Sequence, residues 1–192
     1  MCGIICILDK NQRPVEKSAI ERANQALAHR GPDSSGSFFW ENCAAGFTRL
    51  SIVDIAGGDQ PLFNEDKTIA LVCNGEIYNF EALRTQLSSK GHRFHSRSDS
   101  EVILHLYEED PEGFVLQLDG MFSFVIIDTV KKKILAVRDR LGIKPLHLYE
   151  DREYAVFSSE LKGLFATGLV RPALDAQGIY DAFTFAYVPG RG

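Results

Sequence analysis

The first seven residues, MCGIICI (1–7), place a thiol directly behind the initiator methionine and then continue as an apolar run. The segment from Ile4 to Leu8 is short, apolar and rich in β-branched residues, which predicts a buried strand. Removal of Met1 would leave Cys2 with both a side-chain sulfur and a free α-amine. Those two groups together form a candidate nucleophile and base.

The chemistry of this pair is favourable near neutral pH. An α-amine has an ordinary pKa of about 7.7–8.0 and a free thiol one of about 8.5, so the amine can accept the thiol proton. Gly3 would let the backbone turn tightly beside the sulfur. A lone cysteine near a terminus is nevertheless usually inert. An active site therefore also requires oxyanion-stabilising donors and groups that hold a substrate.

Composition excludes several classes of function. The 192 residues are 45% hydrophobic and 24% charged, as expected for one globular domain, and the net charge of −5 disfavours nucleic-acid binding. No apolar stretch reaches the roughly 20 residues of a membrane helix, and a basic leader is missing, so neither membrane insertion nor secretion is expected. The cysteines show no disulfide or zinc spacing, which predicts free thiols in the cytoplasm; they are Cys2, Cys6, Cys43 and Cys73.

Apolar runs and turn residues predict alternating strands and helices. Strands are predicted over 4–8, 36–40, 43–49, 69–73, 121–128, 134–138, 145–149 and 154–158, with the lysine run 131–133 as a hairpin turn. Helices are predicted over 19–29, from 80 to about 90, and over 101–109, 160–166 and 176–185. Most strands look antiparallel. Two sheets packed face to face with helices outside would bury them on both sides, although periodicity alone does not fix that arrangement.

Capping signals mark three helix starts. Ser18 and Glu21 form one capping box, Ser98 and Glu101 form another, and Asn79 is a candidate cap for the helix after it. Gly91 is expected to stop that helix.

Asn74-Gly75-Glu76 ends the apolar run that starts at residue 69. An Asn-Gly pair is common in turns, so a strand-end turn is one interpretation. The alternative is that the amide of Asn74 and the backbone N–H of Gly75 point at one spot and stabilise an oxyanion.

Three charged residues could hold an amino acid by its two ends. Arg49 follows an apolar strand and would suit a carboxylate, while Glu76 and Asp99 would suit an ammonium group. Each also has an ordinary role, Arg49 in a surface ion pair and Asp99 in compensating a helix dipole. The five histidines match no metal-binding motif, so no metal site is predicted.

Eight short motifs occur in an order that identifies a family. They are Met1-Cys-Gly-Ile4, His29-Arg-Gly-Pro-Asp33, Arg49-Leu-Ser-Ile-Val53, Asn74-Gly-Glu-Ile-Tyr-Asn79, Ser98-Asp-Ser-Glu101, Asp119-Gly-Met-Phe-Ser-Phe124, Arg138-Asp-Arg-Leu-Gly-Ile-Lys-Pro145 and Ser158-Ser-Glu-Leu-Lys162. Nearly the whole chain thus resembles the glutaminase domain of glutamine-dependent asparagine synthetases, which are class II glutamine amidotransferases.

The resemblance implies an α+β fold, the four-layer α/β/β/α sandwich of N-terminal-nucleophile hydrolases. It implies that Cys2 is the nucleophile once Met1 is removed and that Asn74 and Gly75 form the oxyanion hole. The implied glutamine-binding residues are Arg49, Leu50, Ser51, Ile52, Val53, Glu76 and Asp99, with Arg30 and Gly31 nearby. No cofactor is implied for this domain.

Family members continue into a synthetase domain with an S-G-G-x-D-S loop for ATP, a motif that is missing here. Residues 1–184 are therefore expected to form the glutaminase domain, and 185–192 to begin a linker to a C-terminal synthetase domain that would bind ATP and magnesium. Expected partners are glutamine and that domain. The oligomeric state stays open, with a homodimer among the options.

Two other functions remain compatible with the residues. The chain could be a non-catalytic domain that senses glutamine or binds a partner, or an N-terminal-nucleophile amidase for a different amide. Release of glutamate from glutamine would separate the first from an enzyme, and a substrate panel would test the second. The amino-acid clamp of Arg49 and Asp99 argues against another amide.

Overall fold

The computed structural model describes residues 1–51 and 58–189. Its strands are β1 Gly3–Asp9, β2 Ser34–Trp40, β3 Cys43–Arg49, β4 Leu62–Phe63, β5 Ile69–Ile77, β6 Gly120–Asp128, β7 Lys133–Arg138, β8 His147–Glu150 and β9 Tyr154–Ser158. The α-helices are α1 Lys17–Leu27, α2 Phe80–Ser89, α3 Glu101–Glu109, α4 Leu161–Ala166 and α5 Ala176–Phe185, with 3₁₀ turns at Ala28–Arg30 and Phe114–Gln117.

The strands form two antiparallel sheets. The first sheet has the order β2-β3-β1-β9-β8, so the N-terminal strand lies at its centre. The second has the order β4-β5-β6-β7, in which β5 and β6 pair over nine residues. Every strand pair within them is antiparallel.

Alternation along β1 explains how the layers pack. Successive side chains of a strand point to opposite faces. Ile4 and Cys6 therefore join the core between the two sheets, where they meet residues of β5 and β6 such as Val72 and Val125. Ile5 points the other way, into the core beneath α1.

Helices cover the outer face of each sheet. α1 and α4 pack on the first sheet through a cluster that includes Ile20, Leu27 and Leu164. α2 and α3 pack on the second sheet, where Tyr107 and Phe124 are among the fully buried side chains. The predicted α/β/β/α sandwich of two antiparallel sheets is confirmed.

The interpretation of Asn74-Gly75 as a strand-end turn is wrong. β5 continues through both residues to Ile77, because Asn74 and Gly75 pair with Ser123 and Phe122 of β6. The two-residue strand β4 was not predicted, since Leu62–Phe63 is too short to show a period.

The predicted capping boxes are also wrong. α1 begins at Lys17 with Glu16 at its N-cap, so Ser18 lies inside the helix. Ser100 occupies the N-cap position of α3 without a side-chain capping bond, and the side chain of Glu101 accepts hydrogen bonds from the backbone N–H groups of His95 and Ser96. Both helices do occur, because their apolar faces pack on the sheets.

The helix α2 starts after Asn79 and ends before Gly91 as predicted, but the Asn79 side chain does not cap it. Asn79 occupies its N-cap, yet the side chain bonds the backbone of Gln117 and Asp119 rather than the helix. Gly91 follows the helix with a φ of +105°, the left-handed conformation that glycine adopts most easily.

The last helix, α5, carries no buried residue. Large apolar side chains remain exposed on it and beside it: Leu174, Ile179, Tyr180, Phe183, Phe185, Tyr187 and Val188. Within the described part of the chain, no helix combines the length and hydropathy needed to cross a bilayer.

The core beneath α3 should dominate stability. Phe124 is fully buried against Phe114 and Phe122, so Phe124→Ala is expected to lower the free energy of unfolding by about 3–5 kcal/mol. Val130, in the turn after β6, is 72% exposed, and Val130→Ala should change it by no more than about 0.5 kcal/mol. Denaturant titration of both variants measures the difference, and equal effects would contradict this description of the core.

Candidate active site

One cavity brings together most of the predicted site residues. It has a volume of about 120 Å³ and lies between the start of β1, the end of β5 and the segment before α3. Seven predicted residues line it: Cys2, Arg49, Leu50, Asn74, Gly75, Glu76 and Asp99. Residues from both sheets therefore contribute to a single site.

Cys2 is held by its backbone rather than by its side chain. Arg30 donates from Nε to the Cys2 carbonyl oxygen at 2.9 Å, and its Nη1 donates to Glu160 at 2.7 Å. Burial alone would raise the pKa of Glu160, but hydrogen bonds from Arg30, His29 and Lys162 outweigh it and lower this pKa to about 2. Cys2 is partly exposed, and its Sγ donates a long hydrogen bond to the Leu50 carbonyl oxygen at 3.9 Å.

The second thiol in the cavity wall is unsuited to act as a nucleophile. Cys73 is 1% exposed, and burial together with the negative charge of Asp99 raises the pKa of its thiol far above the ordinary value. A buried thiol held in its protonated form is inert. Cys2 is therefore the candidate nucleophile of this cavity.

Asn74 presents an amide donor without a partner. The residue is 1% exposed, and its Nδ2 has no hydrogen-bond acceptor among the described residues. Leaving a buried donor unpaired costs free energy, so such a group is expected to meet an acceptor on a ligand.

The backbone N–H of Gly75 points to the edge of β5 that faces away from β6. N–H groups alternate along a strand, and that of Tyr78 reaches Asp119 beside β6. The N–H groups of Cys73 and Ile77 point the opposite way, to the side chains of Gln60 and Asp99 at 2.6 and 2.7 Å. By parity the Gly75 N–H lies between them, facing away from β6.

Glycine at position 75 is required by packing. A Cβ there would lie 2.5 Å from the Met121 carbonyl oxygen and 2.7 Å from Phe122 Cα. Both are backbone atoms of β6 that cannot move independently, so any side chain would push β5 away from its partner strand.

Arg49 is a buried cation at the end of β3. It is 4% exposed, and its Nη1 pairs at 2.9 Å with Asp59, whose side chain is 66% exposed. Hydrogen bonds from Ser34 and Arg49 lower the pKa of Asp59 and keep it ionised. The guanidinium carries five donors in a fork that matches a carboxylate.

The two acids lie on different elements. Glu76 is an exposed residue of β5, whereas Asp99 is 7% exposed and accepts the Ile77 N–H at 2.7 Å. Asp99 precedes α3. Ser98 does not cap that helix, since it lies before the N-cap residue Ser100 and its hydroxyl accepts the Ser100 N–H. This bond to β5 ties Asp99 to the strand that carries Asn74.

Three predicted residues are not placed in the cavity. Ser51 does not line it, and its backbone N–H donates to Asp33 at 2.7 Å. Ile52 and Val53 lie outside the described residues.

Several lining residues were missed at the level of sequence. They are Met1, Gly58, Gln60, Cys73, Ser98, Ser100, Met121 and Lys144. Gln60 is notable because its amide both donates to and accepts from the Cys73 backbone, at 2.9 and 2.6 Å, and so continues the sheet edge. Sequence spacing gives no signal for such a contact.

Lys144 adds a second buried cation to the cavity wall. It is 7% exposed, and its loop is held by Asp139, which accepts backbone N–H bonds from Leu141, Ile143, Lys144 and Phe122. Burial raises the pKa of Asp139, but these donors outweigh it and lower the pKa below the ordinary value. The motif 138–145 was the only sequence signal for this residue.

The cavity itself shows no arrangement for a metal. Among the described residues, the side chains close enough to share an ion are Glu65, His92, His105 and Glu108, and none of them lines the cavity. Thiol, amide, cation and carboxylates are the groups available to a ligand here.

Comparison with known families identifies the family of the chain. The family model described as a glutamine amidotransferase domain matches residues 1–191. The chain therefore belongs to the glutamine amidotransferase domain family.

The relatives include plant enzymes. The chain is 51% identical over 168 residues to asparagine synthetase [glutamine-hydrolyzing] 3 of Arabidopsis thaliana, and 49% identical over 166 residues to asparagine synthetase [glutamine-hydrolyzing] of Zea mays. Each match covers 85% of this chain but 28% of the relative. The chain thus spans a little over a quarter of the length of these relatives.

Solved structures support the fold. A glutamine phosphoribosylpyrophosphate amidotransferase from B. subtilis superposes with a TM-score of 0.73 at 21% identity, covering 87% of this chain and 44% of that one. A structure described as the allosteric regulatory enzyme of purine biosynthesis gives a TM-score of 0.73 at 22% identity, covering 87% and 43%.

Proposed function

We propose that this domain hydrolyses the side-chain amide of glutamine to glutamate and ammonia through a thioester on Cys2. The observation that carries the proposal is the shared cavity: a partly exposed thiol, the unpaired amide of Asn74 and the free-edge N–H of Gly75 face it together with Arg49 and Asp99. Membership of the glutamine amidotransferase family supports the same chemistry.

The first step is attack on the amide. After removal of Met1, the Cys2 α-amine accepts the thiol proton, directly or through a water, and the thiolate attacks the amide carbon. Asn74 Nδ2 and the Gly75 N–H donate to the oxygen as it gains negative charge. One such donor typically contributes about 3–4 kcal/mol to the transition state.

The second step releases ammonia and then glutamate. The carbon–nitrogen bond breaks as the α-amine returns its proton to the leaving nitrogen, which leaves a γ-glutamyl thioester. A water molecule then attacks the thioester carbon and gives a proton to the α-amine. The carbon–sulfur bond breaks as the α-ammonium group returns this proton to the sulfur, so glutamate leaves and the Cys2 thiol is restored. No cofactor is needed for either step.

Charge complementarity selects the substrate. Arg49 pairs with the α-carboxylate, while Glu76 and Asp99 hold the α-ammonium group. This clamp favours an amino acid over a simple amide. It also disfavours the alternative of an amidase for unrelated amides, whereas an intact nucleophile and unpaired oxyanion donor disfavour a purely sensory domain.

For the longer protein we propose an asparagine synthetase. The supporting observation is that similar relatives bear that name and are more than three times as long as the matched segment. Residues 1–184 would form the glutaminase domain, followed from 185 by a linker to a synthetase domain that binds ATP and magnesium and uses the ammonia. The exposed apolar side chains of α5 would suit contact with that domain. A cytoplasmic location and a homodimer remain predictions.

The hydrolysis proposal is tested with the nucleophile variant. Cys2→Ala removes the sulfur and little else, so the purified variant should keep its fold but release no glutamate from glutamine. The measurement is glutamate formation alongside circular dichroism. Hydrolysis by the variant at a rate comparable to that of the unmodified protein would remove Cys2 from the mechanism.

Oxyanion donors and clamp residues should affect different kinetic constants. Asn74→Ala is expected to lower kcat by about 10²–10³-fold, because its donor acts in the transition state. Arg49→Ala and Asp99→Asn should instead raise KM by about 10–100-fold, since each loses a charged hydrogen bond to the substrate. Steady-state kinetics distinguishes the two patterns. An unchanged KM in both clamp variants would refute the amino-acid clamp.

Retention of Met1 should abolish activity. Met1 lines the cavity, and while it is attached the Cys2 nitrogen is an amide that cannot accept the thiol proton. We expect preparations to hydrolyse glutamine in proportion to the fraction that has lost Met1. Intact mass and glutaminase rate are compared across preparations that differ in this residue. Equal activity in fully Met1-bearing protein would exclude the α-amine as the base.

A further inference from the structure

Four side chains on the outer face of the second sheet converge away from the cavity. They are Glu65 in the β4–β5 connection, His92 just after α2, and His105 and Glu108 on α3. One ligand atom from each lies within 4.8 Å of the others. We propose that this cluster is a structural zinc site.

The distances within the cluster match a tetrahedral ion. Nδ1 of His92 lies 3.6 Å from a carboxylate oxygen of both Glu65 and Glu108, and Nδ1 of His105 lies 3.5 and 3.0 Å from the same two groups. Zinc bonds nitrogen and oxygen at about 2.0–2.2 Å, which makes the edge of a tetrahedron about 3.3–3.6 Å. The four nitrogen–oxygen separations of 3.0–3.6 Å are close to that edge, although the two histidines face different oxygens of Glu65 and a bound ion would take one of them.

A second set of carboxylates lies beside both rings. His92 Nε2 is hydrogen-bonded to Glu109 at 3.1 Å, whereas His105 Nε2 lies 3.8 Å from Glu101, beyond hydrogen-bond distance. Metal-bound histidines usually hold their other ring nitrogen by a hydrogen bond to a carboxylate, which His92 already makes. Asn64 likewise donates to the remaining oxygen of Glu108 at 2.8 Å.

Charge and burial favour a divalent cation. The two imidazoles are surrounded by four carboxylates, those of Glu65, Glu101, Glu108 and Glu109. Lys90 forms an ion pair with Glu109 and offsets one of these negative charges. The excess of carboxylates gives the cluster a negative charge that a divalent cation would neutralise. The Nε2 of the fully buried His105 has no hydrogen-bond acceptor in range, and shifting towards Glu101 would satisfy it.

The site would be structural rather than catalytic. Four protein ligands complete a tetrahedral shell and leave no position for substrate. The side chains of Glu65 and Glu108 are 33% and 23% exposed, which gives an ion a path from solvent. Zinc would join two separate segments, those of Glu65 and His92, to α3, the helix that Asp99 precedes.

Metal binding is tested on untagged protein stripped with a chelator. Cobalt(II), which absorbs visible light when tetrahedral, is titrated in and then displaced by zinc. We expect one equivalent per chain and a rise in melting temperature with zinc. Glu65→Gln and His92→Ala, whose side chains are partly exposed, should weaken binding by about 100-fold or more, and the supporting change Glu109→Gln by about 10-fold.

Matched controls come from the same region. His95→Ala and Glu112→Gln change an exposed histidine and an exposed glutamate outside the cluster, and both should bind zinc like the unmodified protein. The proposal is overturned if the unmodified protein retains no metal, which would leave a network of protonated histidines and carboxylates. The proposal is also overturned if Glu65→Gln and His92→Ala bind zinc as tightly as the unmodified protein does. So would a cobalt–thiolate absorption band that disappears in Cys2→Ala, because the ion would then sit on Cys2.

Discussion

The contact between the two sheets holds the two halves of the active site together. Cys2 precedes β1 in the first sheet, whereas Asn74 and Gly75 belong to β5 in the second. Ile4 and Cys6 share one buried core with side chains of β5 and β6, and residues next to the start of β1 and at the end of β5 both line the cavity. Because packed sheets interdigitate at nearly constant spacing, the distance from nucleophile to oxyanion donors is set by the core rather than by loops. Arg30 and Asp99 then adjust each wall locally.

Sequence patterns predicted the elements better than their ends. The apolar runs of β1 and β6 identified strands because both faces of each are buried, whereas α3 was predicted from a capping signal that the structure does not form. The Asn-Gly pair was ambiguous because the same dipeptide suits a turn and also a strand in which glycine lets the backbone lie close to its neighbour, here β6. The capping boxes failed since Ser18 and Glu101 found other partners, which depend on how distant segments pack. Side-chain bonds of this kind are not encoded in local spacing.

The candidate site shows the same division. Motifs identified Cys2, Asn74, Arg49 and Asp99, each a residue whose chemistry is distinctive. Gln60 and Lys144 were missed because their place in the cavity wall follows from a loop conformation, in the second case one organised by the carboxylate of Asp139. The histidine cluster was missed for a related reason: three segments far apart in sequence supply its members, and only the spacing of His105 and Glu108 on one helix face could have hinted at it.

The free edge of β5 has a consequence for self-association. An unpaired strand edge normally invites another strand, since it offers a row of N–H and C=O groups. Here β4 covers only two residues of that edge, but side chains of Gln60 and Asp99 occupy the N–H groups on either side of Gly75. The interruption leaves room for a single acceptor atom and none for a continuous ladder. The Gly75 N–H can thus donate a hydrogen bond to a small molecule, while the strand edge offers no template for β-aggregation.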